Sequence, residues 1–361
     1  MDSLILCIFG DILGFQSSNI NGAPLKISKK KYGDEYKTKA FELANHKFYG
    51  FLYSGSVNQD IDKLKYSFST LMLFATLKGL SEGTDNKQNC IKEYIKIYNK
   101  YGEKKLFDSY IPTNNYVESI KSLVKHESLS YNSKYNDSMV LSRVLPFGLL
   151  YWKKEERSKL ITNIIENISI THKNNTTYLC GITLGLFISF KKNGIDAHKW
   201  GRKLTEYLLS NEFDMIIKEN KMYNTEFILD KEDYISVWSA YLDVSFKNDR
   251  YISKLEMMNP SYRANFLFLT FNDPSANEFA YGLKAEECMI IAYDSLLYCD
   301  GYWEKMFIIG ALGITNNSVM GSICGILFGI EYGINNSINK NIFKNEQWLK
   351  KLLMLTKNII I

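Results

Sequence analysis

Proline is scarce in this chain of 361 residues, with only five, at positions 24, 112, 146, 260 and 274. Proline fixes φ and lacks an N–H donor, so long stretches without it leave the backbone free to run as helix. Histidine is scarcer, at four residues. None stands at ligand spacing from a cysteine and no C-x-x-C occurs, which argues against a zinc site. There is no G-x-S-x-G elbow, H-E-x-x-H, Walker A loop or G-x-G-x-x-G after a strand, so the common hydrolase, metalloprotease and nucleotide motifs are missing. No charge of one sign prevails. The 44 basic and 39 acidic residues leave a net charge of +5 spread along the chain. The one dense basic run, from Lys26 to Lys31, reads as a solvated loop. No nucleic-acid partner is expected on this evidence of charge. The start, Met1-Asp2-Ser3, lacks the basic segment of a signal peptide. The uncharged stretch from Met306 to Ile330 could suggest a membrane span, but Thr315-Asn316-Asn317-Ser318 interrupts it. Four polar residues in hydrocarbon are costly, so a loop leading into a buried helix is expected, and no span.

Apolar material is ample, with 46% hydrophobic and 14% aromatic residues, enough for a large core. Six cysteines stand at 7, 90, 180, 288, 299 and 324, and Cys7, Cys180, Cys288 and Cys324 lie among apolar neighbours. They read as buried thiols of a protein of the cytoplasm or another reducing intracellular compartment. Helical periodicity recurs. Leu64, Phe68, Leu71, Met72 and Ala75 fall on one face, as do Leu160, Ile161, Ile164, Ile165 and Ile168, and Trp200, Leu204, Tyr207 and Leu208. Gly321, Gly325 and Gly329 form a stripe at four-residue spacing, which suits a central helix that another backbone approaches closely. The apolar runs 227–229 and 266–271 fit strand or helix alike. Loops are expected at 17–38, 54–62, 81–88, 128–137 and 272–284, where Gly, Asn, Ser and Asp gather.

Six segments, in order, carry a resemblance to a known family. They are Gly10-Asp11-Ile12-Leu13-Gly14; Tyr66-Ser67-Phe68-Ser69-Thr70; Ser142-Arg143-Val144-Leu145-Pro146-Phe147-Gly148-Leu149; Ile170-Thr171-His172 with Thr177-Tyr178-Leu179; Ile291-Ala292-Tyr293-Asp294-Ser295-Leu296-Leu297; and Asn316-Asn317-Ser318-Val319 with the helix Ile323 to Gly333. The chain resembles the ADP-ribosylglycohydrolase family, its ADP-ribosylarginine hydrolase branch above all. The resemblance implies an all-α, compact, single-domain orthogonal helical bundle over residues 1–361. It also implies a cleft for ADP-ribose in which active members hold two magnesium ions on paired aspartates.

At the positions matching those aspartates this chain differs. The early pair reads Phe68 and Ser69, with Ser67 before it alone keeping a plausible ligand type, and the late pair reads Asn316 and Ser318, with Val319 at the hydroxyl position that follows; a further acidic position falls near Asn21. Magnesium requires hard, anionic oxygen donors, and neutral amides and hydroxyls do not replace about four carboxylates around two divalent ions. The expectation is therefore a degenerate metal site, no catalytic residue, no bound metal and no cofactor. Asp11, His172, Tyr178, Glu287 and Asn317 are the candidates for a residual ligand pocket. Each also has a plain structural reading. Asp11 would be a hydrogen-bonded helix residue, His172 a satisfied core or loop histidine, Glu286 and Glu287 a solvated loop pair, and Asn316 and Asn317 helix caps. Arg143 is expected to make a buried ion pair or to bond a helix terminus. Three functions compete: an inactive protein that is an interaction or structural subunit of a larger assembly with other proteins; a magnesium-dependent ADP-ribosylarginine hydrolase rebuilt on Asp11, Asp60, Asp62 or Glu287; and a binder of ADP-ribose or another nucleotide. A helix N-terminus near Asn316 would suit a phosphate.

Overall fold

The computed structural model describes residues 1–19, 27–59, 64–83, 85–110, 112–125, 129, 131, 136–252, 258–272, 276–343, 346–357 and 359. In chain order its helices are α1 (Asp2–Asn19), α2 (Lys29–Tyr32), α3 (Tyr36–Tyr53), α4 (Phe68–Leu80), α5 (Asn86–Tyr110), α6 (Asn114–Val124), α7 (Leu145–Leu150), α8 (Arg157–Ser169), α9 (Asn175–Lys192), α10 (Trp200–Leu208), α11 (Asn211–Glu219), α12 (Thr225–Ser245), α13 (Pro260–Phe271), α14 (Ala285–Tyr298), α15 (Trp303–Ala311), α16 (Asn317–Glu331) and α17 (Gln347–Thr356). The all-α expectation holds. The described strands are two-residue pairs: Ile27–Ser28 antiparallel to Glu278–Phe279, and Phe246–Lys247 antiparallel to Arg250–Tyr251. The runs 227–229 and 266–271 are helical, inside α12 and α13.

Side-chain caps start many of these helices. Thr113, Asn174, Ser210, Asn224, Asn259 and Asn316 each accept an N–H from the first turn, satisfying donors that the helix itself cannot. The chain divides into two compact units, Met1–Ser67 with Ile252–Leu349, and Phe68–Tyr251 with Lys350–Ile361.

The first unit is built on α1 crossing α16. A methyl group on Gly10 would lie 2.0 Å from the Gly321 carbonyl oxygen, and one on Gly321 would lie 2.1 Å from that of Gly10. Gly325 meets the Leu6 carbonyl in the same way, and Gly14 meets that of Asn317. The glycine stripe thus does what its spacing predicts: it removes Cβ atoms where two backbones touch. Near the far end of the stripe, Asp2 accepts the Ile334 N–H. In the second unit α9 is buried along most of its length, with Gly181 and Gly185 against Ile164, Ile168 and Leu160 of α8. Phe187 lies against Trp200 and Trp238.

Several boundaries differ from the sequence reading. Leu64 to Ser67 precede α4, because the Ser67 N–H and hydroxyl bond the Asp11 carboxylate and hold that stretch outside the helix. The expected loop at 17–38 contains the end of α1, all of α2 and the start of α3, and that at 81–88 includes the start of α5. Within the Lys26–Lys31 run, Ile27–Ser28 is strand and Lys29–Lys31 begins α2; Lys30 and Lys31 are solvated as expected. The span 128–137 lies largely outside the described residues. No described helix is long and apolar enough to cross a membrane. All six cysteines are buried thiols outside any disulfide.

Candidate functional site

In the first unit, α1 carries Asp11 at full burial. Its carboxylate accepts the Ser67 N–H at 2.8 Å and the Ser67 hydroxyl at 2.6 Å. Asp11 is thus hydrogen-bonded within the fold, and its partner Ser67 is one of the residues that the sequence reading placed at the degenerate metal positions. Asn316 accepts the Val319 N–H at 3.4 Å and the Ser318 hydroxyl at 2.9 Å, so it is the N-cap of α16, as anticipated. The Asn317 side chain folds back over its own loop. In the amide orientation that satisfies its hydrogen bonds, it donates to the carbonyls of Ala311, Gly313 and Thr315, each at 3.1 Å. The loop from α15 to α16 is further tied by Thr315, which donates to Gly282 O at 2.6 Å, and by Tyr281, whose hydroxyl accepts the Ile314 N–H.

Glu286 and Glu287 do not form a solvated loop pair. They lie in the first turn of α14, and Glu287 is 6% exposed. Its carboxylate accepts the Leu283 N–H at 3.3 Å and stands 3.7 Å from the Lys284 ammonium. This reach back over the helix start resembles half of a capping box. Burial raises the Glu287 carboxyl above its ordinary range, with Lys284 opposing. Asp294, from the fifth matching segment, is in a buried ion pair with Arg263 at 2.8 Å.

The second unit carries Phe68, Ser69, Arg143, His172 and Tyr178. Phe68 is fully buried and meets the Tyr116 ring edge-on at 5.0 Å; Tyr116 in turn meets His172 edge-on at 4.9 Å. Ser69 donates to Met139 O and its own carbonyl accepts from Ser142. Arg143 donates to the Tyr116 hydroxyl, to Asn167 O at 2.9 Å and to the Thr171 hydroxyl at 2.7 Å. Its guanidinium lies 5.0 Å and 5.2 Å from the Tyr94 and Tyr116 ring centres. Of its two expected roles, the bond to a helix terminus is the one found, at the end of α8. His172 Nδ1 lies 2.8 Å from the Thr171 hydroxyl and its Nε2 3.8 Å from Asp137. Burial pushes the imidazole below its ordinary value. Burial alone would raise Asp137, but His172, the Thr113 hydroxyl and the Met139 N–H hold it lower. Tyr178 is a buried ring on α9, its hydroxyl shifted upward by burial. The structure therefore joins Asp11 to Ser67, Asn316 to Ser318 and Val319, and Phe68 to His172 through Tyr116.

A family model described as ADP-ribosylglycohydrolase matches residues 2–359. The chain belongs to this family. It is 26% identical over 331 residues to an ADP-ribosyl glycohydrolase of Acanthamoeba polyphaga mimivirus, covering 87% of this chain and 60% of that protein. It is 24% identical over 355 residues to the ADP-ribosylhydrolase ARH1 of Dictyostelium discoideum, covering 89% and 83%. The chain thus spans less than two thirds of the mimivirus relative.

Membership corrects one expectation. ADP-ribosylglycohydrolases work with a divalent metal, so the reading that no cofactor is to be expected does not stand, and magnesium is the cofactor against which this site is judged. Among the described residues, no three His, Cys, Asp or Glu side chains converge as ligands. Asp11 is engaged by Ser67, and the other donors at the positions matched from the sequence are neutral. The described donors therefore do not fit a pair of divalent ions, and no chemical step is derived through them. Asn21, Asp60 and Asp62 lie outside the described residues.

Sequence reasoning missed Asp137, Tyr116 and Lys47. Lys47 had a signal. Tyr36, Ala40, Ala44, Lys47 and Phe51 share the buried face of α3, so the lysine sits on an apolar stripe. Asp137 and Tyr116 had none, because their partners are distant in sequence.

Proposed function

We propose that this ADP-ribosylglycohydrolase-family chain binds an ADP-ribose-type ligand without hydrolysing it and is an interaction subunit of a protein assembly, acting as a single family domain. One observation carries the reading. At the positions that the resemblance matches to the family's metal ligands, the side chains are engaged in the fold itself. Ser67 binds Asp11, Phe68 is packed under Tyr116, and Asn316 caps α16 while accepting from Ser318. Oxygens so engaged are poor ligands for a hard cation, and an aromatic ring offers it no oxygen. The reducing-compartment reading accompanies this proposal, on the strength of the six buried thiols.

The test is release of ADP-ribose from an ADP-ribosylated arginine substrate in magnesium buffer, beside calorimetric titration with ADP-ribose and copurification from cells at fixed stoichiometry. Binding heat without turnover supports the reading, whereas magnesium-dependent release refutes it. That second outcome would favour the divergent hydrolase, for which the names of the two relatives and the retained Asp11 speak. Absence of heat at about millimolar ligand removes the binding part.

A further inference from the structure

Helix α12 carries apolar side chains on both of its faces. Inward, Phe227, Tyr234 and Trp238 are buried, and Trp238 meets Phe187 of α9 edge-on. Outward, Leu229, Val237 and Val244 are 56%, 39% and 60% exposed. Successive members stand about two turns apart, so they form one stripe roughly 22 Å long. A surface helix ordinarily keeps polar residues on its outer face, and one that is apolar all round is covered on both sides. Single aliphatic residues scattered over a surface are normal; three aligned on one helix mark an interaction face.

Charge decides the occupant. The α12 helix holds five acidic residues and one lysine, in a chain whose net charge is +5. Its lysine, Lys231, is turned inward to Asp214 of α11 at 2.8 Å. Glu232, Asp233 and Asp243 lie on the outward face beside the stripe and are exposed. Among the described residues, none of these three carboxylates meets a cation or a hydrogen-bond donor. Elsewhere exposed helix carboxylates are answered by a lysine of their own helix: Glu42 by Lys39, Glu82 by Lys78 and Glu206 by Lys203. A second copy of the α12 face would set carboxylate against carboxylate, and an anionic membrane or a nucleic acid would be repelled in the same way.

We propose that the outward face of α12 docks a basic amphipathic helix of a partner protein. The partner's aliphatic side chains cover Leu229, Val237 and Val244, and its lysines or arginines meet Glu232, Asp233 and Asp243. This surface deepens the interaction-subunit role proposed above and rests on that reading for the existence of a partner.

The full-length protein is titrated, by fluorescence anisotropy, with three synthetic helices of three heptads each: leucine with lysine, leucine with glutamate, and serine with lysine. The leucine–lysine helix binds, and the other two bind at least about tenfold more weakly. Leu229→Ser combined with Val237→Ser weakens the leucine–lysine helix at least about tenfold. Glu232→Lys, Asp233→Lys and Asp243→Lys together transfer the preference to the leucine–glutamate helix. All five positions are exposed, so the urea midpoints of both variants stay close to wild type. No binding of the leucine–lysine helix, equal binding of the lysine and glutamate helices, or variants that bind as wild type does would each overturn the surface. A dimer in sedimentation that Val237→Lys dissolves also overturns it, in favour of a second copy. In copurification from cells, partners retained at unchanged stoichiometry by the triple-lysine variant remove this surface and keep the interaction subunit. Peptide binding as expected with no copurifying protein keeps the helix-binding face and removes the assembly.

Discussion

Replacing Lys47 by methionine should make the ligand-free protein more stable. The ammonium is buried against one carbonyl, and burial lowers its pKa from the model-peptide value of 10.5 to about 8. That displacement corresponds to about 3 kcal/mol of unfavourable charge burial at neutral pH, at about 1.4 kcal/mol for each pH unit. Methionine keeps the apolar stem and loses one hydrogen bond, worth about 1 kcal/mol. Gly313 O retains the Asn317 amide as a donor. The net gain is about 2 kcal/mol near pH 7, read from urea unfolding in a buffer free of phosphate. The sign with pH follows from the depressed value. Between the folded and unfolded pKa the unfolded chain holds more protons, so wild-type stability rises as pH increases from about 8 towards 10.5. The advantage of Lys47→Met should therefore shrink by about 2 kcal/mol between pH 7 and pH 10. A variant less stable than wild type by more than about 1 kcal/mol at pH 7, or a difference that is flat with pH, would refute the charge-burial argument.

Gly321→Ala should destabilise by about 3 kcal/mol, since its methyl would meet the Gly10 carbonyl oxygen at 2.1 Å and a backbone cannot rotate away as a side chain can; chemical denaturation measures it. Asn316→Ala should cost about 1 kcal/mol by loss of the α16 cap, while Asn316→Asp should restore the cap, and their denaturation midpoints decide this. Arg143→Met removes the donor to the end of α8 and to two hydroxyls and should cost about 3 kcal/mol, with equal stability to wild type as the contrary result in urea melts. Both His172 and Asp137 have lowered values in the folded state, so their contribution is complete above the unfolded pKa and is lost on acidification. Stability should fall as pH drops below about 6.5, where the unfolded chain binds the His172 proton first; His172→Gln should flatten the upper part of that fall in melts across the range.

The segments that reveal the family do so as packing signals. Gly10 and Gly14 on α1 and Gly321 and Gly325 on α16 are two halves of one close crossing, and Asp294 is half of a buried ion pair. Their spacing was legible because steric exclusion of Cβ and helical periodicity are local properties. Glycine at i and i+4 states which face must be bare, whatever the partner. The same holds for the Asn316 cap, whose chemistry needs only the next three residues.

By itself, then, the sequence determined an all-helical chain, a late helix whose glycine stripe another backbone approaches closely, and the capped start of α16, while the partner of that stripe, α1, came from the tertiary structure. Each of those three features follows from neighbours a few residues apart. Only the tertiary structure decided that Ser67 is used by Asp11, that Glu287 is buried on a helix, that Asp137 stands beside His172, and that Lys47 carries its charge to Gly313. These pairs are separated by up to hundreds of residues. Charge burial and hydrogen-bond choice depend on what the folded chain brings within about 3–4 Å, a quantity that no local pattern encodes.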